Sequence, residues 1–293
     1  IAQDFLLFQG VNGWSAWALG ADLGMSLFSK VSIVVVNYNN SQCTIDLINS
    51  LGNSWHLISK VVVVDNNSSD SELFLLNKIK HDKVTILYLS SNVGYFGGLN
   101  KGLELLVNDL DSPVIIGNND LLFNDCFFSD LLLMHVKDNV MAIAPSLLTR
   151  DGIYQNPAQI SKPTLFKRTF YSVYFSNYYV GVFIHKLWSI LGFSAQSKIK
   201  KDFEAKPIYI GMGAAYVLLP SFFKRYKSLD YPFFLYGEEA FLSKQLEDAG
   251  GILWYEPSLE IVHLESVATA KMPTKEKYKL MRLSHSTYKN FFK

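Results

Sequence analysis

The chain has 293 residues, 49% of them hydrophobic and 18% charged, with a formal net charge of +1. That length suits one large α/β domain or two small ones with a substantial core, and the composition excludes disorder. The near-neutral charge makes no case for nucleic-acid binding, and two isolated cysteines, Cys43 and Cys126, fit a reducing compartment and exclude a zinc cluster built from Cys.

The first stretch, "IAQDFLLFQGVNGWSAWALGADLG", has no basic region ahead of its apolar part and is a poor secretory signal. Residues 1–24 are read as a leader or an unrelated appended segment, with Met25 as the natural start. No apolar run reaches the roughly 18 residues of a transmembrane helix. From Val31 the rhythm is strand, turn, helix. "VSIVVV" (31–36) is a continuous β-branched run, as expected of a strand buried on both faces. Thr44, Leu47, Ile48 and Leu51 then mark one face of a helix. "KVVVVD" (60–65) is a second strand, and "NNSSDSE" is turn and cap chemistry before a second helix. "VTILYL" (84–89) is a third strand, with Leu99, Leu103 and Leu106 marking the next helix. "PVIIGNND" (113–120) and "MAIAP" (141–145) complete five strands.

Strands alternating with helices predict an α/β fold with parallel pairing, in which ligands bind beyond the carboxyl ends of the strands. Polar clusters sit at four such ends: Asn37–Asn40, Asp65–Asp70, Ser90–Asn92 and Asn118–Asp120. They predict one shared site. Residues 161–206 break the rhythm with aromatic and basic residues. "IYIGMGAAYVLLP" then reads as a strand, "YPFFLYGEEAFLSKQLEDAG" as a loop and helix ending at Gly250, and "ILWYEP" and "LEIVHLES" as short strands.

Several residues carry candidate chemistry, each beside a plainer reading. Asp65 ends a buried strand, where it can accept from a base or ribose, or cap the following helix. "SNVGYFGGLNKG" (91–102) lets backbone N–H groups approach a phosphate or sugar, or is a glycine-rich turn. It is not GxGxxG, and "NYNNS" lacks P-loop glycines, which disfavours a hydride-transfer enzyme and a P-loop nucleotidase. Asp120 is a lone carboxylate for a hard cation, so other ligands must join it. His263 is a candidate for that role or a structural histidine. Glu238 and Glu239 suit a general base with a raised pKa, or the favourable charge of a helix N-terminus.

In order, "VSIVVVNYNN", "VVVVDNNSSD", "SSNVGYFGGLNKG", "IIGNND", "GMGAAYVLL", "FFLYGEEAFLSKQLEDAG" and "IVHLES" resemble the motifs of family 2 inverting glycosyltransferases of GT-A fold. The likeness runs from about Val31 to about Ser266 and is nearest to bacterial rhamnosyltransferase-like enzymes of surface polysaccharide synthesis. It implies a Rossmann-like, mostly parallel sheet flanked by helices, within a domain spanning residues 25–266. The nucleotide-binding half would be about 31–145, the aromatic and basic insertion about 161–206, the acceptor half about 207–266, and a helical tail 267–293.

The resemblance also implies roles. Asp65 resembles the acid that binds the nucleotide base, and Asn37 and Asn39 lie in the loop against the nucleoside. Asn92, Gly98 and Asn100 resemble the segment beside the diphosphate and sugar. Asn118, Asn119 and Asp120 occupy the DXD position, with Asp120 as metal ligand and His263 as a further one for Mg²⁺ or Mn²⁺. Glu239 stands at the catalytic-base position, with Glu238 as rival. Three departures are Glu in place of Asp at that base, Phe241 where an acidic residue is common, and Asn118 in place of the first DXD acid.

The implied reaction moves a sugar from a nucleoside-diphosphate sugar to a glycan or lipid-linked hydroxyl. dTDP-rhamnose is one candidate donor; galactofuranosyl or other hexosyl transfer, or a non-catalytic carbohydrate-binding protein, are the alternatives. The implied location is the cytoplasm, at the inner face of the membrane. The insertion, with Lys162, Lys167, Arg168, Lys186, Lys198, Lys200 and Lys201 among aromatics, is read either as a peripheral membrane contact or as helices packed on the domain or on a second subunit.

Overall fold

A computed structural model describes residues 28–190, 201–264 and 275–292. The leader read at residues 1–24, Met25, Lys198, Lys200 and the end of the family likeness at Ser266 lie outside the described residues.

The core is one nine-stranded sheet, in which β1 (Val31–Asn37), β2 (Ile58–Asp65), β3 (Val84–Tyr88) and β4 (Val114–Asn118) form a parallel half in the order β3-β2-β1-β4. Every residue of β1 is buried, because helices cover both faces. Ile33 and Val35 face one core with Leu47 and Leu51; Val34 and Val36 face the other with Phe96 and Leu99. The period-two alternation is present, but apolar on both sides, so it reads as a continuous run.

α1 (Ser41–Ser50) and α2 (Asp70–Leu76) follow β1 and β2, and α3 (Tyr95–Leu103) follows β3. α3 lies unusually tight on the sheet. A Cβ on Gly102 would fall 2.2 Å from Val34 Cγ1, and one on Gly98 would fall 3.0 Å from Val36 Cγ2.

Beyond β4 the parallel order ends. Three strands and a helix come next in the chain: β5 (Leu121–Phe123), α4 (Phe127–Leu133), β6 (Val140–Thr149) and, after the insertion, β7 (Lys206–Ile208). β8 (Ala215–Leu218) pairs antiparallel with both β4 and β6. β9 (Ile252–His263) runs parallel to β6 and carries β5 and β7 antiparallel on its other edge. The expected strand 208–220 is therefore two strands, parted by a loop at Gly211–Ala214. The two expected short strands near the end are one long β9, whose register against β6 slips between Pro145 and Ser146.

The insertion forms α5 (Leu165–Tyr174) and α6 (Tyr178–Ile190). The short α7 (Pro220–Phe223) and then α8 (Glu238–Asp248) follow β8. α9 (Lys275–Tyr288) closes the described chain. It packs on the insertion through aromatics: Tyr278 meets Tyr174 and Phe175 at 6.0 and 5.8 Å, and His285 meets Phe175 at 4.6 Å. No helix among the described residues is long and apolar enough to cross a membrane.

Candidate active site

The carboxyl ends of β1, β2 and β4, the Gly211–Ala214 loop and the N-terminus of α8 enclose a cleft of about 850 Å³. Asn39, Asn92, Asn118 and Asn119 line it, and so do Asp120, His263, Glu238 and Glu239. The polar strand ends of a parallel sheet thus converge as the sheet's topology requires.

Asp120 and His263 meet because β5 pairs with β9. The register sets Leu121 opposite His263, and the Leu264 N–H donates to the Asp120 carbonyl at 2.8 Å. Asp120 Oδ1 then lies 3.3 Å from His263 Nε2, with both residues buried. His263 Nδ1 lies 2.8 Å from Gln155 Oε1. With the ring proton on Nδ1 donated to Gln155, Nε2 keeps its lone pair toward Asp120. A lone pair facing a carboxylate at that distance calls for a cation or a proton between them. One oxygen and one nitrogen donor, steadied by an outer amide, suit a borderline divalent ion that also takes water and phosphate oxygens. Among the described residues no third His, Cys, Asp or Glu joins a metal-sized cluster.

The acidic pair begins α8, where the helix dipole favours negative charge. Tyr236 (φ 74°) and Gly237 (φ 98°) both take the left-handed region just before it, a strained conformation for Tyr236. Burial, reinforced by the charge of Glu239 and opposed by two backbone N–H groups, pushes Glu238 up to about 7. Glu238 Oε1 has no hydrogen-bond partner among the described residues. Burial also raises Glu239, while its own N–H and that of Gly213 stabilise its ionised form. The contact with Gly213 leaves no room for a side chain there: a Cβ would fall 2.5 Å from Glu239 Oε1.

The Gly211–Ala214 loop is itself held in place. Asn156 Oδ1 accepts from the Met212 N–H at 2.7 Å, Tyr95 Oη donates to the Gly213 carbonyl at 2.8 Å, and the Asn118 N–H donates to the Ala214 carbonyl at 2.9 Å. The last bond ties this loop to the end of β4, two residues before Asp120.

Asn37, Asp65, Gly98 and Asn100 do not line this cleft. Asp65 is buried, accepting from Asn37 Nδ2 at 2.8 Å and from the Ser68 N–H at 3.0 Å. Asn37 in turn accepts from Asn119 Nδ2 at 2.9 Å, which also donates to Thr44 Oγ1 at 2.8 Å. The result is a buried polar chain joining the ends of β2, β1 and β4. Asn100 Nδ2 donates to the Leu229 carbonyl and Oδ1 accepts from its N–H. Gly98 is a packing position against β1. Of the glycine-rich loop, Gly94 (φ 80°) reaches the cleft, where a Cβ would strike the Phe234 carbonyl at 2.1 Å.

The aromatic segment 231–236 divides. Tyr231 and Phe233 pack with Phe241, whereas Leu235 and Tyr236 line the cleft. Trp254 packs against the core. Sequence reasoning missed Gln155, Tyr95, and the two residues that α9 presents to the cleft, Lys277 and Met281. Lys277 Nζ sits 5.4 Å from the Tyr236 ring centroid. The spacing of Tyr278, Met281, His285 and Tyr288 does mark a helix face, but not what that face meets.

The family model described as Glycosyl transferase family 2 matches residues 32–195. The chain is 26% identical over 215 residues to the low-salt glycan biosynthesis hexosyltransferase Agl10 of Haloferax volcanii, covering 73% of this chain. It spans 60% of that relative's length. The structure is similar to GalNAc-T7 solved with UDP, GalNAc and Mn²⁺ (TM-score 0.56, 14% identity, covering 87% of this chain and 48% of the other). It is also similar to residues 1–349 of S. aureus TarS (TM-score 0.50, 14% identity, covering 80% and 60%).

Proposed function

Because the chain belongs to glycosyl transferase family 2 and has the GT-A fold, we propose that it transfers a hexose from a nucleoside-diphosphate sugar to an acceptor hydroxyl, with inversion. The observation that carries this reading is one cleft holding both Asp120 with His263 and the raised acidic pair. The hexosyltransferase relative supports the class of sugar; dTDP-rhamnose remains one donor to test. We take the acceptor to be a glycan or a lipid-linked sugar of a surface polysaccharide.

In this mechanism Glu239 accepts the proton of the acceptor hydroxyl as that oxygen bonds to the anomeric carbon and the bond to the diphosphate breaks. Of the two carboxylates Glu239 is the more open to the cleft, and its raised pKa makes it a better base near neutrality. Glu238, pushed up to about 7 by burial and by the charge of Glu239, stands beside it as the second acidic group of the pair. The backbone N–H of Gly213 aims the carboxylate. Asp120 and His263 would hold a divalent cation, for which the Mn²⁺ in the GalNAc-T7 structure is a precedent; when bound it would offset charge on the leaving diphosphate. Lys277 adds a positive charge lining the same cleft.

The test is a thermal-shift panel of nucleotide sugars with Mn²⁺, Mg²⁺ or chelator, followed by turnover assays of the donor that shifts. A donor that binds only with the metal and is turned over supports the proposal. Binding without turnover of any donor would make the chain a carbohydrate-binding protein.

A further inference from the structure

We propose that the outward face of α6 docks on an anionic membrane surface. Tyr179, Phe183, Leu187 and Ile190 are 73%, 66%, 42% and 80% exposed. Their spacings of four, four and three residues place them in one narrow stripe of the helix, and exposed Lys186 borders it. Exposed aromatic and aliphatic side chains in a stripe bearing a cation are the pattern of an interfacial helix. Nearby on α5, Leu165 and Phe166 are 74% and 83% exposed.

The opposite side of α6 is already used. Gly181 lies so close to α9 that a Cβ would fall 2.7 Å from Tyr278 Cε2. The helix is therefore anchored inward and leaves its apolar stripe outward. Its 13 described residues span about 20 Å, and with Gly181 packed inward on α9 and the apolar stripe on the other side the helix would lie along a bilayer surface.

Charge selects the partner. No acidic residue occurs between Asp151 and Asp202 in a chain whose net charge is only +1. Lys162 and Lys201 are tied to Glu247 and Glu260, which leaves, among the described residues of the insertion, Lys167, Arg168 and Lys186 as its other lysine and arginine cations. A second copy of this chain would set two cationic faces together; anionic lipid headgroups complement them. The purpose of the contact rests on the lipid-linked acceptor proposed above. α9 joins the two regions, since Tyr278 packs into the insertion while Lys277 and Met281 line the cleft. A carrier lipid held in the membrane would thus bring its sugar toward Glu239.

The experiment is vesicle flotation of the full chain, with phosphatidylcholine alone or mixed with phosphatidylglycerol. The chain is expected to float with the anionic vesicles and to be released by salt. Phe183→Asp should weaken partition by more than about tenfold, and Lys167→Gln, Arg168→Gln and Lys186→Gln by about fivefold each. Phe74→Asp, at an exposed phenylalanine on α2, should float as wild type does. Thermal unfolding of all these variants should match wild type. The proposal is overturned if wild type stays in solution with both vesicle types, or if Phe183→Asp floats undiminished. A wild-type dimer that Phe183→Asp turns into a monomer overturns it too, by naming the second copy as occupant. Flotation needs no donor, and metal-dependent donor binding by Phe183→Asp should be unchanged, so failure here and failure of the transferase reading are separable.

Discussion

Asp120 Oδ1 and His263 Nε2 lie 3.3 Å apart, and the pairing of Leu121 with His263 is what holds them there. These residues stand 143 positions apart in the chain, so their meeting depends on a three-residue strand. If they share a divalent ion, Asp120→Ala should abolish any metal-dependent thermal shift with donor, and Asn118→Ala should reduce it less. Gln155→Leu removes the partner of His263 Nδ1 and should weaken metal affinity by about 10–100-fold. Titration of Mn²⁺ against each variant checks this; equal affinity in Gln155→Leu and wild type would remove His263 from the site.

Glu239→Gln should lower kcat by about 10²–10⁴-fold while leaving donor binding intact. Gly213→Ala tests the same assignment without touching the carboxylate. Its Cβ would lie 2.5 Å from Glu239 Oε1, so the base must move, with a loss on the order of 100-fold in kcat and little change in KM for donor. If Glu238→Gln falls further than Glu239→Gln, the two roles are reversed.

The pH dependence of stability holds two opposed contributions. Glu238 is raised from 4.5 to about 7, chiefly by burial. The folded state therefore keeps a proton that the unfolded state has lost, and stability falls as pH rises through that window, by on the order of 3 kcal/mol in full. His285 is lowered from 6.5 to about 4 by burial, helped by Lys289. The unfolded state there binds the extra proton, so stability falls as pH drops from 6.5 toward 4. Melting curves across pH should show Glu238→Gln gaining on wild type above neutrality. His285→Phe should gain below pH 6.5. An unchanged pH profile in either variant contradicts the corresponding shift.

Gly102→Ala should destabilise the fold by about 1–3 kcal/mol, because its Cβ would meet Val34 Cγ1 at 2.2 Å. Gly98→Ala, with contacts of 3.0 Å, should cost less. Both should bind donor normally once folded. Urea midpoints measured beside donor affinity will tell: lost affinity at full stability would return Gly98 to the donor site.

Asn37→Ala breaks the buried chain from Asp65 to Asn119. Leaving those polar groups unpaired should cost about 1–3 kcal/mol. Donor affinity should fall as well, since Asn119 adjoins Asp120; a variant that loses neither stability nor affinity would show that the network does not position the site.

The first four strands were legible because burial on both faces makes them uninterrupted β-branched runs, and their polar ends marked the cleft. β5 was not, since three residues after a turn carry no periodicity. β9 read as two strands because "EPS" looks like a break, yet the ladder merely slips register there. The roles of Asn37, Gly98 and Asn100 were read from motif position, whereas the structure seats each against a neighbour distant in sequence. α9 was legible as a helix, but its place beside Glu238 depends on close packing: a Cβ on Gly237 would fall 2.5 Å from Ser284 Oγ.

The slip in β9 has an evolutionary corollary. Neighbouring strand residues point to opposite faces, so gaining or losing one residue between Glu256 and Glu260 would turn Val262 or Leu264 toward Asp120 in place of His263. Substitutions along this strand can be absorbed gradually. Changes in its length cannot, and among natural variants of this chain the 256–263 segment should drift in composition while keeping its residue count.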